Sequence, residues 1–244
     1  LFFGNSVISQ FIFWFITMSD VLGFYSENIL STFEVNNTFK EESVLSSTAC
    51  ACFFDRDGVV NLDTGYVNKF QDWNVYPEFL EVLRYLTTEQ FFSGIATNQS
   101  GISRGLYSWN DFKKFHIELD AFLKVKSLPN MDVIACAWLK EFNADVFLSG
   151  WRKPGPHMLH FLCGLKGVSP QQSIFVGDKT SDMRSCIDAG FAFGVRISDY
   201  TNKIISYKEK ETTIYRCDRS CLKAVVINLV KNLKGGRGGG LKYL

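Results

Sequence analysis

The sequence has almost no net charge, and it lacks both a long apolar run and a regular spacing of cysteines. Its formal charge is only +1 over 244 residues, so composition gives no reason to expect nucleic-acid binding. The aromatic run at residues 11–18 has about half the length that a membrane-spanning helix needs. No Lys or Arg precedes Lys40, so the basic start of a signal peptide is missing as well. We therefore expect no membrane span.

The seven cysteines are an odd number, and they are scattered without a repeating interval. This pattern is typical of free, buried thiols in a reducing compartment rather than of a disulfide framework. It predicts a cytoplasmic protein.

Short apolar runs alternate with amphipathic stretches from residue 49 onward, and the length suits one sizeable domain with appendages or two small domains. Strands are predicted at 49–54, 91–96, 133–138, 173–176 and 192–195. Helices are predicted at 77–88, 109–125 (after the N-cap Ser108), 156–165, 180–189 and 219–233. The alternation predicts an α/β fold, a doubly wound Rossmann-like parallel sheet with helices on both faces. Residues 1–48 are expected to be an N-terminal extension of unknown role, 49–234 the domain, and 235–244 a Gly-rich tail.

Polar residues follow several of these strands or precede the next helix, where ligands of doubly wound sheets bind. Asp55 and Asp57 follow the first strand, and one carboxylate can act as a nucleophile while the other acts as an acid. Gly58 permits a sharp turn that brings backbone amides to a phosphate. An Asx turn with solvated acids would explain this string if it stood alone.

Three further strings supply the remaining groups that phosphoryl transfer needs. Thr97 and Asn98 end the second strand and could hold phosphate oxygens, although a helix cap is the simpler explanation for them alone. Lys153 precedes a proline, which indicates a loop, and its cation would offset charge on a transferring phosphoryl group. Asp178 can supply oxygen ligands to Mg²⁺, with Asp182 as a further candidate ligand.

Together, these strings resemble the haloacid dehalogenase superfamily of aspartate-nucleophile phosphatases. Within it, residues 55–61, 63–67, 97–105, 152–156 and 176–183 are similar to heptose 1,7-bisphosphate phosphatases and their histidinol-phosphate phosphatase relatives. The resemblance implies that Asp55 is the nucleophile and Asp57 the general acid and base. It also implies that Asp55, the Asp57 backbone carbonyl and Asp178 hold Mg²⁺. It further implies a substrate site formed by Asp63, Gly65, Tyr66, Thr97, Asn98, Gln99, Ser100, Arg152, Lys153 and Lys179.

The sequence departs from this family at one place. Many members carry a zinc loop, Cys-x-His followed by Cys-x-Cys, before the Arg-Lys-Pro string, but residues 135–151 contain only Cys136 and no His. Four zinc ligands cannot be assembled from that segment, so we expect no zinc. No long insertion follows either of the first two motifs, which predicts that a large cap domain is absent.

The resemblance implies an Mg²⁺-dependent phosphatase that acts on a small phosphorylated sugar, such as a heptose bisphosphate, through an aspartyl-phosphate. Histidinol phosphate is the alternative substrate within the same chemistry. A receiver domain that keeps its phosphoryl group is a different class. It is disfavoured because Asp57, two residues after Asp55, would speed acyl-phosphate hydrolysis. Another alternative is a non-catalytic module, which the intact acids argue against.

Overall fold

A mostly parallel sheet of eight strands forms the middle layer of the computed structural model, which describes residues 22–25, 49–139, 149–199 and 203–235. The strands are β1 (Leu22–Tyr25), β2 (Ala51–Phe54), β3 (Phe92–Asn98), β4 (Asp132–Cys136), β5 (Ser173–Gly177), β6 (Phe193–Ile197), β7 (Ile205–Glu209) and β8 (Thr212–Cys217). Their order is β1-β4-β3-β2-β5-β6-β8-β7. Every neighbouring pair from β4 to β8 is parallel, whereas the edge strands β1 and β7 run antiparallel to their partners.

Helices cover both faces of the sheet. They are α1 (Pro77–Thr88), α2 (Ser100–Ser103), α3 (Trp109–Val125), α4 (His157–Lys166), α5 (Thr180–Asp188) and α6 (Leu222–Leu233). Single 3₁₀ turns lie at Asp72–Asn74, Pro170–Gln172 and Arg219–Cys221. Buried side chains of α1, α3 and α6 form one apolar cluster, and those of α4 and α5 form a second cluster. The α/β fold class predicted from the sequence is confirmed.

Local sequence signals explain why the helices begin where they do. Pro77 occupies the first turn of α1, where its missing N–H costs no hydrogen bond. Ser108 caps α3, and the Asp111 carboxylate accepts a hydrogen bond from the Ser108 N–H in return. Apolar side chains at helical spacing then bury one face of each helix.

The structure contains three strands that the sequence did not predict. β7 and β8 form a hairpin at one edge, and β7 is largely exposed, so it lacks the apolar pattern of a buried strand. β1 lies within the predicted extension and pairs with β4 at the other edge, so residues 22–25 belong to the sheet. Among the described residues there is no separate cap domain. None of their helices is long and apolar enough to cross a bilayer.

The first strand of the parallel core lies in the middle of the sheet, with β3 on one side and β5 on the other. The chain moves outward from β2 in one direction through β3 and β4, and in the opposite direction through β5 and β6. Such a reversal opens a crevice at the carboxyl ends of the strands. The candidate site lies at this crevice.

Candidate active site

Four segments deliver the polar residues of the crevice. Asp55 directly follows β2, Thr97 lies near the end of β3, and Asp178 directly follows β5. Lys153 comes from the loop before α4, as its position ahead of Pro154 predicted. Parallel strands end at the same edge of the sheet, which explains why residues far apart in sequence meet here.

Lys153 is the buried cation of the site. Its Nζ lies 2.7 Å from Asp55 Oδ1 and 2.8 Å from Asp182 Oδ1, and it donates to the Ala96 carbonyl at 2.9 Å. The Asn98 amide holds the lysine backbone by accepting from its N–H and donating to its carbonyl, both at 3.0 Å. The ammonium is therefore held by one contact each from the residue that follows β2, from β3 and from α5.

Burial raises the pKa of Asp55 to about 7, with Lys153 opposing the change and Asp182 adding to it. Burial would lower the pKa of Lys153, but the Asp182 and Asp55 carboxylates outweigh it and raise that pKa. The lysine thus stays charged at neutral pH. A further cation near Asp55 would favour the ionised carboxylate, which is the form that a nucleophile needs.

Asp57 is held by three side chains. Arg56 makes two hydrogen bonds to the carboxylate, at 3.0 and 2.8 Å. Asn61 donates to its Oδ1 and Gln99 to its Oδ2, both at 3.0 Å. The side chain is 16% exposed, so Asp57 is fixed in position yet remains in contact with the cleft.

Three acids converge in the crevice. One carboxylate oxygen each from Asp55, Asp178 and Asp182 lies within 4.8 Å of the others. Burial raises the pKa of Asp178, and its Oδ1 is buried without a hydrogen-bond partner among the described residues. A side chain at Gly58 (φ +89°) would collide with Asp178, since a Cβ there would lie 2.4 Å from its Oδ2. Carboxylate oxygens are the ligands that Mg²⁺ prefers, and one oxygen of this cluster has no hydrogen-bond partner, so the cluster is a suitable site for Mg²⁺.

Asp182 has structural partners as well. Its Oδ2 accepts a hydrogen bond from the Lys179 N–H at 2.9 Å, which satisfies the start of α5, and its Oδ1 pairs with Lys153. We therefore assign Asp182 mainly to holding the lysine, while Asp55 and Asp178 keep oxygens for a metal ion.

A cleft lies over these groups, and half of the predicted site residues line it. It is lined by Asp55, Asp57, Thr97, Asn98, Lys153, Lys179, Ser181 and Asp182. Lys179 bridges its rim by an ion pair of 3.0 Å to Asp63, whose Oδ1 accepts from the Gly65 N–H. The lining does not include Asp63, Gly65, Tyr66, Gln99, Ser100, Arg152 or Asp178, so the contact of the first six with substrate remains a prediction. Arg152 donates instead to the Trp138 carbonyl at 3.3 Å.

Four residues with contacts in the site received no role from the sequence. Arg56 and Asn61 hold Asp57, and Tyr107 donates to the Gln99 side chain. Arg219 donates to the Gly58 carbonyl at 2.9 Å and stacks on Tyr76. The sequence could have indicated a role for Arg56, because this residue lies between two acids. Arg219 gave none, because it lies 161 positions from Gly58.

The segment that differs from the zinc-loop pattern contains aromatic residues. Trp138 is buried, and the Trp151 ring lies 5.7 Å from His157 and 6.2 Å from Phe161. The described part of this segment offers one thiol, Cys136, and among the described residues only the three acids form a candidate group of metal ligands. Apolar packing thus holds both ends of the segment.

Comparison with known proteins shows which family and which relatives this chain is similar to. The family model described as polynucleotide kinase 3 phosphatase matches residues 51–220. A D-glycero-beta-D-manno-heptose-1,7-bisphosphate 7-phosphatase from Helicobacter pylori (strain J99) is 32% identical over 144 residues, which cover 59% of this chain and 80% of the relative. A D-glycero-alpha-D-manno-heptose-1,7-bisphosphate 7-phosphatase from Campylobacter jejuni is 33% identical over 150 residues, covering 57% and 77%.

Two solved structures share the fold. A protein from Mesorhizobium loti described as a HAD-like phosphatase superposes with a TM-score of 0.64 at 27% identity, covering 76% of this chain and 87% of that one. The D,D-heptose 1,7-bisphosphate phosphatase of B. bronchiseptica, complexed with magnesium and phosphate, has a TM-score of 0.57 at 22% identity, covering 75% and 99%. At that identity the second structure supports the fold alone.

A parallel sheet with acids after its central strands and a buried lysine beside them defines an α/β protein of the haloacid dehalogenase-like class. Within that class, the chain belongs to the family of HAD-like phosphatases that the matched model and the heptose-bisphosphate phosphatase relatives represent.

Proposed function

We propose that this chain is an Mg²⁺-dependent phosphatase that hydrolyses the phosphomonoester of a small phosphorylated sugar, with D-glycero-D-manno-heptose 1,7-bisphosphate as the leading substrate. The contact of Lys153 with both Asp55 and Asp182, beside the unpaired oxygen of Asp178, carries the proposal. The names of the relatives from Helicobacter pylori and Campylobacter jejuni support the choice of sugar.

The residues can perform the reaction in two steps. An Asp55 oxygen attacks phosphorus, and the bond from phosphorus to the leaving oxygen breaks while Asp57 donates a proton to that oxygen. Asp57 then accepts a proton from water, whose oxygen attacks phosphorus and releases Asp55. Lys153 offsets the negative charge that builds up on the phosphoryl oxygens. Mg²⁺ held by Asp55, Asp178 and the Asp57 carbonyl would supply further charge neutralisation.

Phosphate release from a panel of phosphomonoesters tests the proposal. The panel contains the heptose bisphosphate, histidinol phosphate and an oligonucleotide with a 3′-phosphate, because the matched family model is described as a 3 phosphatase of polynucleotides. We expect turnover of the heptose ester with Mg²⁺, none with EDTA, and folding without added Zn²⁺. Preference for histidinol phosphate or the oligonucleotide would overturn the substrate, and activity in EDTA would overturn the metal.

The covalent intermediate distinguishes an enzyme from a receiver-type domain. We expect a hydroxylamine-sensitive phosphoryl label on the wild-type chain that disappears within the turnover time and is absent from the Asp55→Asn variant. A label that persists without phosphate release would instead favour a receiver-type domain.

A further inference from the structure

Tyr107 lies between α2 and α3, outside every motif that the sequence analysis singled out. We propose that Tyr107 is a positioning residue, which acts through Gln99 to hold Asp57 where it transfers protons. The inference rests on the proposed function, because it assigns a role within that reaction.

A chain of hydrogen bonds connects the tyrosine to the acid. The Tyr107 hydroxyl donates to Gln99 Oε1 at 2.5 Å. The amide nitrogen of Gln99 then donates to Asp57 Oδ2 at 3.0 Å and to Thr97 Oγ1 at 2.9 Å. Gln99 is 2% exposed and Tyr107 8%, so water has little access to replace these bonds.

The direction of the Gln99 amide matters, because its oxygen and nitrogen occupy similar positions and can exchange by a rotation of the amide. A reversed amide would present its oxygen to the Asp57 carboxylate, which is repulsive. The Tyr107 hydroxyl favours the correct orientation by donating to Oε1. Burial raises the pKa of Tyr107 to about 12, so the hydroxyl keeps its proton and remains a donor at neutral pH.

Packing fixes the position of the tyrosine ring. A side chain at Gly101 would collide with it, since a Cβ there would lie 2.2 Å from Tyr107 Cε1. The ring therefore rests directly on the backbone of α2. Packing alone would be satisfied by phenylalanine, whereas the short hydrogen bond to Gln99 requires the hydroxyl.

Gln99 links Asp57 to β3, which the other two partners do not do. Asn61 belongs to the same loop as Asp57, and the Arg56 guanidinium is held by the Val67 carbonyl and the Phe115 ring of α3. Gln99 follows β3 and also binds Thr97, so it fixes the carboxylate relative to the neighbouring strand. Losing Tyr107 should loosen this link without releasing Asp57, which predicts a moderate effect.

Leaving-group dependence tests the proposal. Proton donation matters for an alkyl phosphate, whose leaving oxygen is strongly basic, and matters little for p-nitrophenyl phosphate. For Tyr107→Phe we expect kcat/KM for the alkyl ester to fall roughly 5- to 30-fold while KM is unchanged. We expect kcat/KM for the aryl ester to fall by less than about twofold. Both losses are smaller than the loss expected when general acid–base catalysis is removed completely. Asp57→Asn should show the same pattern with a larger loss, and Tyr215→Phe, on β8, is the matched control.

Each result has a defined meaning. No loss for Tyr107→Phe, or an equal loss with both esters, would overturn the positioning role while leaving the phosphatase intact. A wild-type chain that hydrolyses neither ester with Mg²⁺ would overturn the proposed function and this inference with it. If Tyr107→Phe does not fold, Gln99→Leu decides, because removal of the amide must give the same preference for the aryl ester.

Discussion

At the scale of single residues, the proposed reaction requires Asp55 to be buried and also ionised when it attacks phosphorus. The surroundings of Asp55 explain how both conditions are met. Lys153 donates to its Oδ1, and so does the Arg56 N–H at 2.8 Å. Both contacts are made to Oδ1, which leaves Oδ2 available to phosphorus or a metal ion. A neutral amide of the same shape would keep the packing but lose the nucleophile.

Asp55→Asn should therefore abolish phosphate release, because an amide cannot attack phosphorus. Asp57→Asn should slow release by roughly two to four orders of magnitude, the range for loss of a general acid. Initial rates with Mg²⁺ measure both, and Asp188→Asn in an exposed ion pair of α5 is the control that should change nothing. Near wild-type turnover by Asp55→Asn would rule out the covalent mechanism.

His116 predicts a pH effect on stability that is independent of catalysis. It is 1% exposed, neither ring nitrogen has a hydrogen-bond partner among the described residues, and burial lowers its pKa well below 6.5. The unfolded chain therefore binds a proton here that the folded chain does not. Stability from this residue is full above pH 6.5 and is lost progressively as the pH falls below that value.

Urea unfolding at pH 8 and pH 5 measures this effect. His116→Phe should lose less stability between these two pH values than the wild type does. His160→Gln, at an exposed position, should behave as the wild type. An unchanged pH dependence in His116→Phe would show that this histidine is not the group responsible.

At the scale of secondary-structure elements, the start of α5 connects the fold to the site. The Asp182 carboxylate satisfies the Lys179 N–H with one oxygen and pairs with Lys153 through the other. Helix capping and placement of the buried Lys153 ammonium thus depend on the same side chain. Removing it leaves a buried ammonium with fewer partners and an unpaired backbone donor.

We expect Asp182→Ala to lower the free energy of unfolding by about 3–5 kcal/mol, the usual effect of breaking a buried ion pair. Asp182→Asn should lose less, because its amide oxygen can still accept from the Lys179 N–H. Asp111→Ala, at the exposed capping box of α3, is the control and should cost less than either. Equal stability of Asp182→Ala and the wild type would contradict this role.

The elements also show what the sequence could predict and why. The α1 boundaries at Pro77 and Thr88 were predicted correctly because a proline and a regular apolar spacing mark them. β7 was missed because most of its side chains are exposed, so burial left no pattern to read. Motif residues such as Asp55 and Lys153 were predicted to meet, but the Tyr107–Gln99 contact was not, since side-chain packing rather than spacing creates it.

At the scale of the whole molecule, distant parts of the chain support the turn after β2. Arg219 precedes α6, yet it donates to the Gly58 carbonyl and stacks on Tyr76 at 3.6 Å. Asp178, from the end of β5, occupies the space beside Gly58. The turn that carries Asp57 is therefore held by two segments that lie later in the sequence.

The N-terminal strand β1 contributes to the sheet without reaching the site. It pairs with β4 at the edge, and the Tyr25 hydroxyl donates to the Asp120 carboxylate of α3 at 2.9 Å. A hydrogen bond to a charged group typically contributes about 1.5–3 kcal/mol to stability. The strands that precede the predicted site residues, β2, β3 and β5, pair with one another without it.

We therefore expect a chain that begins at Glu42 to be less stable than the full chain but to keep its phosphatase activity. Tyr25→Phe in the full chain should lose only the hydrogen bond, and so should fall between the two in melting temperature. Thermal unfolding and the rate of phosphate release, measured on the same samples, separate the two effects. A truncated chain that melts like the full chain but releases no phosphate would show that residues 1–41 act on the site directly, since the sheet would then not need them.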